Sequence, residues 1–298
     1  MAVVGFIGLG NMGGPMAANL AKAGHSVRAT DLSIGAIEKA VAAGCEKADG
    51  VAGAVREADV VVTMLPAGPH VKSVYGDAYG VFANARPGAL FIDCSTIDVQ
   101  SARETIAAAT EKGFKMVDAP VSGGVAAATG GTLTFMVGGA ADAFEAAKPV
   151  LQGMGKTIVH AGAPGNGQVA KIANNMLLAI SMIGTCEAFH LAEKLGLDAQ
   201  TFFDISSKAS GQSWSMTSYC PAPGPVPAAP SNRAYQPGFA AAMMLKDLRL
   251  AREAANGAKV STPLGAQAEA LYALMEAAGA DGLDFSGVMK LIDGSLPR

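Results

Sequence analysis

The fold of this 298-residue chain is decided by its first stretch, Ala2-Val-Val-Gly-Phe-Ile-Gly8-Leu-Gly10-Asn-Met-Gly13-Gly-Pro15. The apolar start predicts a short strand buried on both faces. Three glycines follow at GxGxxG spacing. The residues after them, to Lys22, predict a helix with Pro15 in its first turn, where a missing N–H costs little.

A second predicted strand runs from His25 to Thr30 and ends at Asp31. In a chain with 37 glycines a lone GxGxxG is weak evidence. An acid about 20 residues past the glycines completes the dinucleotide-binding pattern. Gly8 would make the tight turn, Gly10 would let a pyrophosphate approach the backbone, and Gly13 would let the helix pack closely. The alternative is a turn of small residues with no ligand.

The acid at position 31 also bears on the choice of cofactor. Asp31 can accept hydrogen bonds from the adenosine ribose hydroxyls and would repel a 2′-phosphate. No arginine follows it closely. The sequence therefore predicts NAD rather than NADP.

Strand and helix patterns go on alternating as far as residue 159, with one helix expected over 71–82 and an antiparallel or edge strand over 132–137. Such alternation predicts an α/β domain, a Rossmann-type doubly wound and mostly parallel sheet. Ligands bind at the carboxyl ends of its strands, where Leu65-Pro66, Ser95-Thr96 and residues 119–124 fall. Beyond residue 162 every apolar pattern is helical. We therefore expect a Rossmann domain over 1–162 and an all-α C-terminal domain over 163–298.

Composition excludes several classes of protein. The net charge is −3 with scattered basic residues, which argues against nucleic acid or an anionic membrane as partner. Four widely spaced cysteines and four histidines without HxxxH spacing predict no metal site. The longest uncharged apolar run of the later half, 176–186, is shorter than the roughly 20 residues a bilayer requires. Reduced cysteines and the lack of a signal-peptide pattern predict a cytoplasmic protein.

The segment Gly162-Ala-Pro-Gly-Asn-Gly-Gln-Val-Ala-Lys171-Ile-Ala-Asn-Asn175 carries the main candidate for chemistry. Its glycines predict a loop, and a helix should follow with Lys171 and Asn175 one turn apart on one face. A solvated lysine is the ordinary interpretation. The face is otherwise free of charge until Glu187, which favours a functional role for Lys171 instead.

A second candidate follows the strand that ends at Asp118. Ser122, Gly123 and Gly124 offer a hydroxyl and two unhindered backbone N–H groups, which suit a small carboxylate. An ordinary Ser-Gly turn is the alternative. The proline-rich segment 220–230 is interpreted as a lid or wrapping loop rather than a ligand for SH3-type domains. Trp214 lies just before this segment. It could belong to the core, to a pocket wall or to an interface, and the sequence does not distinguish these three locations.

These motifs together resemble the β-hydroxyacid dehydrogenase family. The resemblance covers the whole chain and rests on four motifs in order: the cofactor motif over 6–17, the substrate motif over 118–124, the catalytic motif over 162–175, and Lys246-Asp247-Leu248. It implies a cleft between the two domains and a homodimer or homotetramer formed through the helical domain.

The resemblance also implies residue roles. Lys171 would be the catalytic acid and base. Substrate binding would fall to Ser122, Gly123, Gly124, Asn175, Phe239 and Asp247. Cofactor binding would fall to Gly8, Gly10, Asn11, Met12, Gly13, Asp31, Leu65, Pro66, Thr96 and Lys246.

The implied reaction is NAD-dependent oxidation of a 3-hydroxy acid, with 3-hydroxyisobutyrate and the catabolism of valine the first expectation. Burial and the positive charge of oxidised nicotinamide would disfavour the protonated form of Lys171, as a general base requires. One alternative is a family member that acts on L-serine or reduces tartronate, glyoxylate or succinic semialdehyde. The other is a non-catalytic NAD-binding protein. The chain is too short for a full 6-phosphogluconate dehydrogenase.

Overall fold

The first part of the chain is built on one sheet. In the computed structural model, which describes residues 1–296, nine strands occur within those residues: β1 (Val3–Ile7), β2 (Ser26–Thr30), β3 (Glu46–Lys47), β4 (Val60–Thr63), β5 (Leu90–Asp93), β6 (Lys115–Asp118), β7 (Val121–Ser122), β8 (Leu133–Gly138) and β9 (Gly155–Gly162). The strand order is β3-β2-β1-β4-β5-β6-β8-β7, and β9 pairs with β8. The strands from β3 to β6 are all parallel. This confirms the Rossmann-type, mostly parallel sheet.

Helices cover both faces of this sheet. They are α1 (Gly13–Lys22), α2 (Ile34–Ala42), α3 (Gly50–Val55), α4 (Gly68–Gly76), α5 (Val81–Asn84), α6 (Val99–Glu111), α7 (Gly124–Gly130) and α8 (Ala141–Leu151). Alternate strand residues enter different cores: Val62 and Ile92 belong to one cluster, whereas Val61 and Phe91 belong to the other. Because both faces are covered, the strands are apolar without alternation, as their sequences indicated.

The expectation of a single helix over 71–82 was wrong. The chain forms α4 and α5 with a break between them. Asp77 adopts an extended conformation that ends α4, and its carboxylate accepts a hydrogen bond from the Ser73 hydroxyl at 2.6 Å. The chain then turns, with the Gly80 N–H donating to the Asp77 carbonyl oxygen at 2.8 Å, before α5 begins.

Two short helices, α3 and α7, were not foreseen, since both begin at glycine and are rich in small residues. Tertiary packing explains α3. Its Ala54 and Val55 are fully buried, and a Cβ on Gly5 of β1 would lie only 2.6 Å from the Ala54 carbonyl oxygen. Contact with the sheet therefore outweighs a weak intrinsic preference for helix.

The chain divides into two units, Met1–Lys171 and a second unit that begins at Ile172. The division at 162/163 drawn from the sequence lies earlier, in the loop before a long helix, and stays a prediction. In the described part of the second unit the helices are α9 (Asn166–Lys194, whose first residues belong to the first unit), α10 (Ala199–Ser206), α11 (Trp214–Thr217), α12 (Ala241–Ala258), α13 (Pro263–Ala277) and α14 (Val288–Ile292). Two 3₁₀ turns, Pro230–Arg233 and Phe285–Gly287, complete it.

Helix α9 has 29 residues and is long and apolar enough to cross a membrane by those criteria alone. Its Ala179, Met182, Cys186 and Phe189, however, are almost completely buried in the core of the second unit, where α12 and α13 also pack. We interpret it as the central helix of that core.

Candidate functional site

The turn between β1 and α1 shows why each glycine stands where it does. Gly8 has φ +95°, and a Cβ there would overlap the Met64 carbonyl oxygen. A Cβ on Gly13 would overlap the Gly8 carbonyl oxygen. Gly10, by contrast, is exposed, with no heavy atom within 4 Å of where its Cβ would be. Two glycines let the turn close and the third leaves open space above the backbone, which fits a pyrophosphate at a helix N-terminus.

The Asp31 side chain is hydrogen-bonded to this turn. Its Oδ2 accepts a hydrogen bond from the Leu9 N–H at 2.6 Å and its Oδ1 accepts one from the Ser33 N–H at 2.8 Å. The side chain remains half-buried, and Asn11 in the turn is exposed. The carboxylate is thus fixed beside the glycine turn with lone pairs still available, which fits the hydroxyls of an adenosine ribose.

A buried network joins the loops after β4 and β5. Asp93 Oδ1 accepts hydrogen bonds from the Thr63 hydroxyl at 2.7 Å and the Ser95 hydroxyl at 2.6 Å. The Ser95 hydroxyl oxygen in turn accepts the Leu65 N–H at 2.8 Å. Burial raises the pKa of Asp93 to about 6, and the two hydroxyl donors oppose that rise. The segments 65–66 and 95–96, both predicted to line the cofactor site, are therefore held by one carboxyl group.

Asp118, at the end of β6, holds the start of helix α9. Its Oδ1 accepts the Gly165 N–H at 2.8 Å and its Oδ2 accepts the Gln168 N–H at 2.9 Å. A Cβ on Gly167 would lie 2.7 Å from Asp118 Oδ2 and would also overlap the Met136 carbonyl oxygen. Burial raises the pKa of Asp118, although the amide donors oppose the rise. Gly167 of the predicted catalytic motif therefore makes room for a carboxylate that caps its helix.

Lys171 lies on the first turns of this capped helix. Its side chain is only 7% exposed. Lysine is among the residues least often buried to this extent, so the ordinary interpretation of a solvated lysine does not apply. Gln168, one turn earlier, is fully buried and bonds through its side chain to the loop after β5.

The predicted carboxylate cradle lies between β7 and α7. Ser122 is half-buried and pairs with Thr134 of β8. Gly123 and Gly124 follow with φ of +130° and +66°. These conformations are open to glycine and strained for other residues, so the cradle's backbone depends on both glycines.

In the second unit the structure joins two of the predicted substrate residues. Asn175 is 2% exposed, and its Nδ2 donates to Asp247 Oδ2 at 2.5 Å. The Asn174 side chain donates to Asn175 Oδ1 at 3.1 Å. Lys246 Nζ lies 3.6 Å from Asp247 Oδ1. Asp247 therefore contacts both Asn175, which is predicted to bind the substrate, and Lys246, which is predicted to bind the cofactor.

Phe239 belongs to another buried arrangement in the same unit, centred on Asp284. Asp284 Oδ2 accepts hydrogen bonds from the Phe239 N–H at 3.1 Å and the Tyr219 hydroxyl at 2.9 Å. Tyr219 stacks on Trp214 at 5.0 Å and on Phe285 at 5.3 Å between ring centroids. Asp284 thus orders an aromatic row that ends at Trp214, which is half exposed.

The proline-rich segment 220–230 is fastened within this unit. The Ser231 hydroxyl donates to the Cys220 carbonyl at 2.7 Å, and the Tyr235 hydroxyl donates to the Pro221 carbonyl at 2.8 Å. Its role as a lid stays a prediction.

The predicted site residues are therefore divided. The first unit holds Gly8, Gly10, Asn11, Met12, Gly13, Asp31, Leu65, Pro66, Thr96, Ser122, Gly123, Gly124 and Lys171, and the second holds Asn175, Phe239, Lys246 and Asp247. The sequence did not show the hydrogen bonds of the buried polar residues that hold them, namely Asp93, Ser95, Asp118, Gln168 and Asp284. The sequence does indicate a role for Asp93 and Asp118, because each ends an apolar strand. No sequence pattern indicates which distant residues they bind. Within residues 1–296, no group of three or more His, Cys, Asp or Glu is placed to hold a metal ion.

Two family models match consecutive parts of the chain. Residues 3–162 match the NAD-binding domain of 6-phosphogluconate dehydrogenase. Residues 165–292 match a family described as NAD-binding of NADP-dependent 3-hydroxyisobutyrate dehydrogenase.

Individual relatives cover nearly the whole chain. An NAD-dependent L-serine dehydrogenase of Pseudomonas aeruginosa is 50% identical over 98% of this chain and 98% of its own length. A 3-hydroxyisobutyrate dehydrogenase of the same organism is 49% identical over 99% of both. The solved structure of Mycobacterium tuberculosis 3-hydroxyisobutyrate dehydrogenase with L-serine has a TM-score of 0.93 and 49% identity, covering 98% of this chain and 99% of the other.

The chain belongs to the β-hydroxyacid dehydrogenase family. It is an NAD-dependent hydroxyacid dehydrogenase. The open glycine turn and the fixed Asp31 carboxylate of this structure fit that cofactor.

Proposed function

We propose that this enzyme oxidises 3-hydroxyisobutyrate to methylmalonate semialdehyde, as valine catabolism requires, with Lys171 as general acid and base. The observation that carries the proposal is the burial of Lys171 on a helix whose first turn is fixed by Asp118 and Gln168. A lysine held in this way has a defined position, and its burial disfavours the charged form.

Proton transfer is the work of Lys171. Its neutral amine accepts the proton of the substrate hydroxyl during oxidation, and its protonated form returns that proton during reduction. NAD, when bound, accepts the hydride from the carbinol carbon. A positioned acid or base of this kind contributes typically 10²–10⁴-fold to the rate.

The substrate carboxylate is assigned to the cradle of Ser122, Gly123 and Gly124. A hydroxyl and the backbone N–H groups at positive φ can donate to both carboxylate oxygens. Asn175, whose amide is oriented by Asp247 and Asn174, would orient the substrate against the lysine. Fixing both ends of a small acid holds its carbinol carbon in a reactive geometry.

L-serine is the second candidate substrate. It is also a 3-hydroxy acid with a primary alcohol, and it differs at C2, where an ammonium group replaces the methyl group. A 50% identical relative carries the name of an L-serine dehydrogenase. Asp247 Oδ1, buried in the second unit, has no hydrogen-bond partner among residues 1–296, although the Lys246 ammonium nitrogen lies 3.6 Å away. This oxygen can still accept a hydrogen bond from a substrate ammonium group.

The test is nicotinamide absorbance during incubation with 3-hydroxyisobutyrate, L-serine and a panel of other 3-hydroxy acids. We expect the highest kcat/KM with 3-hydroxyisobutyrate. A preference for L-serine would replace the first substrate by the second, and no turnover with any hydroxy acid would refute the proposal.

The role of Lys171 is tested with Lys171→Ala. Turnover should fall by at least about 10²-fold, while NAD binding measured by calorimetry stays within a few-fold of the wild type. Lys194→Ala, on the same helix but exposed, is the matched control and should keep full activity. Near-normal turnover of Lys171→Ala would exclude this lysine as the acid and base.

A homodimer or homotetramer formed through the helical unit is a further part of the proposal. Its support is a set of large apolar side chains exposed on or just after α9: Leu177 at 63%, Leu191 at 61% and Leu195 at 78%. Exposed apolar surface of this kind is typical of interfaces between chains. Sedimentation would give the mass, and a monomer at micromolar concentration would contradict it. A cytoplasmic location stays a prediction.

A further inference from the structure

Gln168 uses both ends of its side-chain amide. Its Nε2 donates to the Ser95 carbonyl oxygen at 2.7 Å, and its Oε1 accepts the Ile97 N–H at 3.1 Å. The side chain is fully buried. Because one end meets an acceptor and the other a donor, the orientation of the amide is defined by its partners.

The two backbone groups that Gln168 binds enclose a single residue, Thr96. Thr96 is one of the residues predicted to line the cofactor site, and the Ser95 hydroxyl that precedes it also receives the Leu65 N–H. The amide of Gln168 therefore fixes the position of a loop predicted to line the cofactor site.

The same residue fixes the helix of Lys171. The backbone N–H of Gln168 is bound by Asp118, and Lys171 follows three residues later, within one helical turn. With its main chain held by Asp118 and its side chain held by the loop after β5, Gln168 can neither rotate about the helix axis nor slide along it without breaking a buried hydrogen bond.

We propose that Gln168 is a positioning residue for the reaction: it fixes the Thr96 loop and the Lys171 helix at one separation, so that hydride and proton leave the substrate together. The inference rests on the proposed role of Lys171. Hydride transfer is sensitive to such placement, since an error of about 1 Å can cost about 10²-fold in rate.

If Gln168 had a purely structural role, a different result would be expected. Buried hydrogen bonds contribute about 1 kcal/mol each to stability, and their loss lowers the folded fraction without changing the chemistry of the molecules that remain folded. The rate of hydride transfer per folded site separates the two roles.

The first variant is Gln168→Met, which keeps the length and the approximate volume of the side chain and removes both hydrogen bonds. Thr105→Val is its matched control, because the buried Thr105 hydroxyl also donates to a carbonyl oxygen of the first unit, that of Ser101 at 2.8 Å. Single-turnover formation of reduced nicotinamide by the full-length enzyme gives the hydride-transfer rate, and NAD titration gives the number of folded sites.

We expect the hydride-transfer rate per site to fall about 10- to 100-fold in Gln168→Met and to stay unchanged in Thr105→Val. Equal rates per site in the two variants would overturn the inference.

The second variant, Gln168→Glu, keeps the assay informative if the first folds poorly. A protonated carboxyl group can still donate to the Ser95 carbonyl and accept from Ile97, whereas the ionised form has no donor. The rate of this variant relative to the wild type should therefore fall as the pH rises. A ratio that is independent of pH and close to one would also overturn the inference.

Failure of this inference differs from failure of the proposed function. An active wild type, an inactive Lys171→Ala and normal Gln168 variants would refute only the positioning role. An inactive wild type or an active Lys171→Ala would refute the function itself.

Discussion

The Asp118 carboxylate accepts the backbone N–H of Gln168 at 2.9 Å across 50 positions of sequence. The first residue ends strand β6 and opens the predicted substrate motif, and the second lies in the first turn of helix α9, which carries the predicted catalytic motif. Two motifs that are separate in the sequence therefore share one buried hydrogen-bond network.

Removal of this carboxylate should destabilise the first unit. Asp118→Ala leaves the N–H groups of Gly165 and Gln168 buried without a partner, at about 1–3 kcal/mol for each buried group. We expect a loss of about 3 kcal/mol in the free energy of unfolding by urea. Asp142→Ala is the control, because Asp142 is exposed and forms a surface ion pair with Lys115, and it should cost less than about 1 kcal/mol. Similar losses in the two variants would contradict the capping role.

Two glycines of helix α9 should respond oppositely to alanine. A Cβ on Gly167 would meet the Met136 carbonyl and Asp118, whereas a Cβ on Gly184 has nothing within 4 Å. Gly167→Ala should lower the free energy of unfolding by more than about 2 kcal/mol. Gly184→Ala should raise the free energy of unfolding by about 0.5–1 kcal/mol, because alanine is favoured over glycine within a helix by that amount. A tolerated Gly167→Ala would show that the helix start can move away from Asp118.

Asp31 should govern the choice of cofactor. Asp31→Ala removes the acceptor assigned to the ribose hydroxyls and frees the Leu9 N–H that the carboxylate now binds. We expect KM for NAD to rise at least about tenfold, the effect of about 1.4 kcal/mol, and the preference for NAD over NADP to decrease. Steady-state kinetics with both cofactors measures this. A wild type that already prefers NADP would show that the carboxylate has another role.

Asp93 should make stability depend on pH in a specific direction. In the unfolded chain this carboxyl ionises near 3.8, and in the folded protein burial raises its pKa to about 6. Between these values the folded state keeps a proton that the unfolded state has lost. The resulting stabilisation is complete below the unfolded value and is lost as the pH rises through 6.

The comparison that isolates this effect is Asp93→Asn, which does not titrate. From about pH 4 to about pH 7 the wild type should lose up to about 3 kcal/mol relative to the variant, from roughly two pKa units at 1.36 kcal/mol each. Urea unfolding at a series of pH values gives the difference. A difference that stays constant or grows with pH would mean that the fold does not favour the protonated carboxyl.

The Rossmann sheet was predictable because its signals are local. The apolar run of β1, the glycine turn and Asp31 each carry their meaning within a few residues of sequence. The break between α4 and α5 was not, since it depends on the extended backbone of Asp77 and on the turn that follows it. Helix α3 likewise depends on contact with Gly5 across the fold.

For the candidate site, the sequence identified which residues to consider but not what holds them. Lys171, Ser122 and Asp31 lie in motifs of fixed spacing. Asp93 and Gln168 are polar, and a polar residue is ordinarily expected at the surface. Their burial follows from partners 2 and 73 positions away, respectively, and a single sequence does not reveal the longer of these pairings.

The number of residues between Gln168 and Lys171 is consequently fixed. One residue inserted between them would turn the lysine by about 100° around the helix and advance it by about 1.5 Å, while Asp118 and the loop after β5 would still hold Gln168 in place. An insertion at the turn of residues 130–132 would leave that interval intact. Attempts to redesign this enzyme can vary loop lengths there, but the count of three from glutamine to lysine must be preserved.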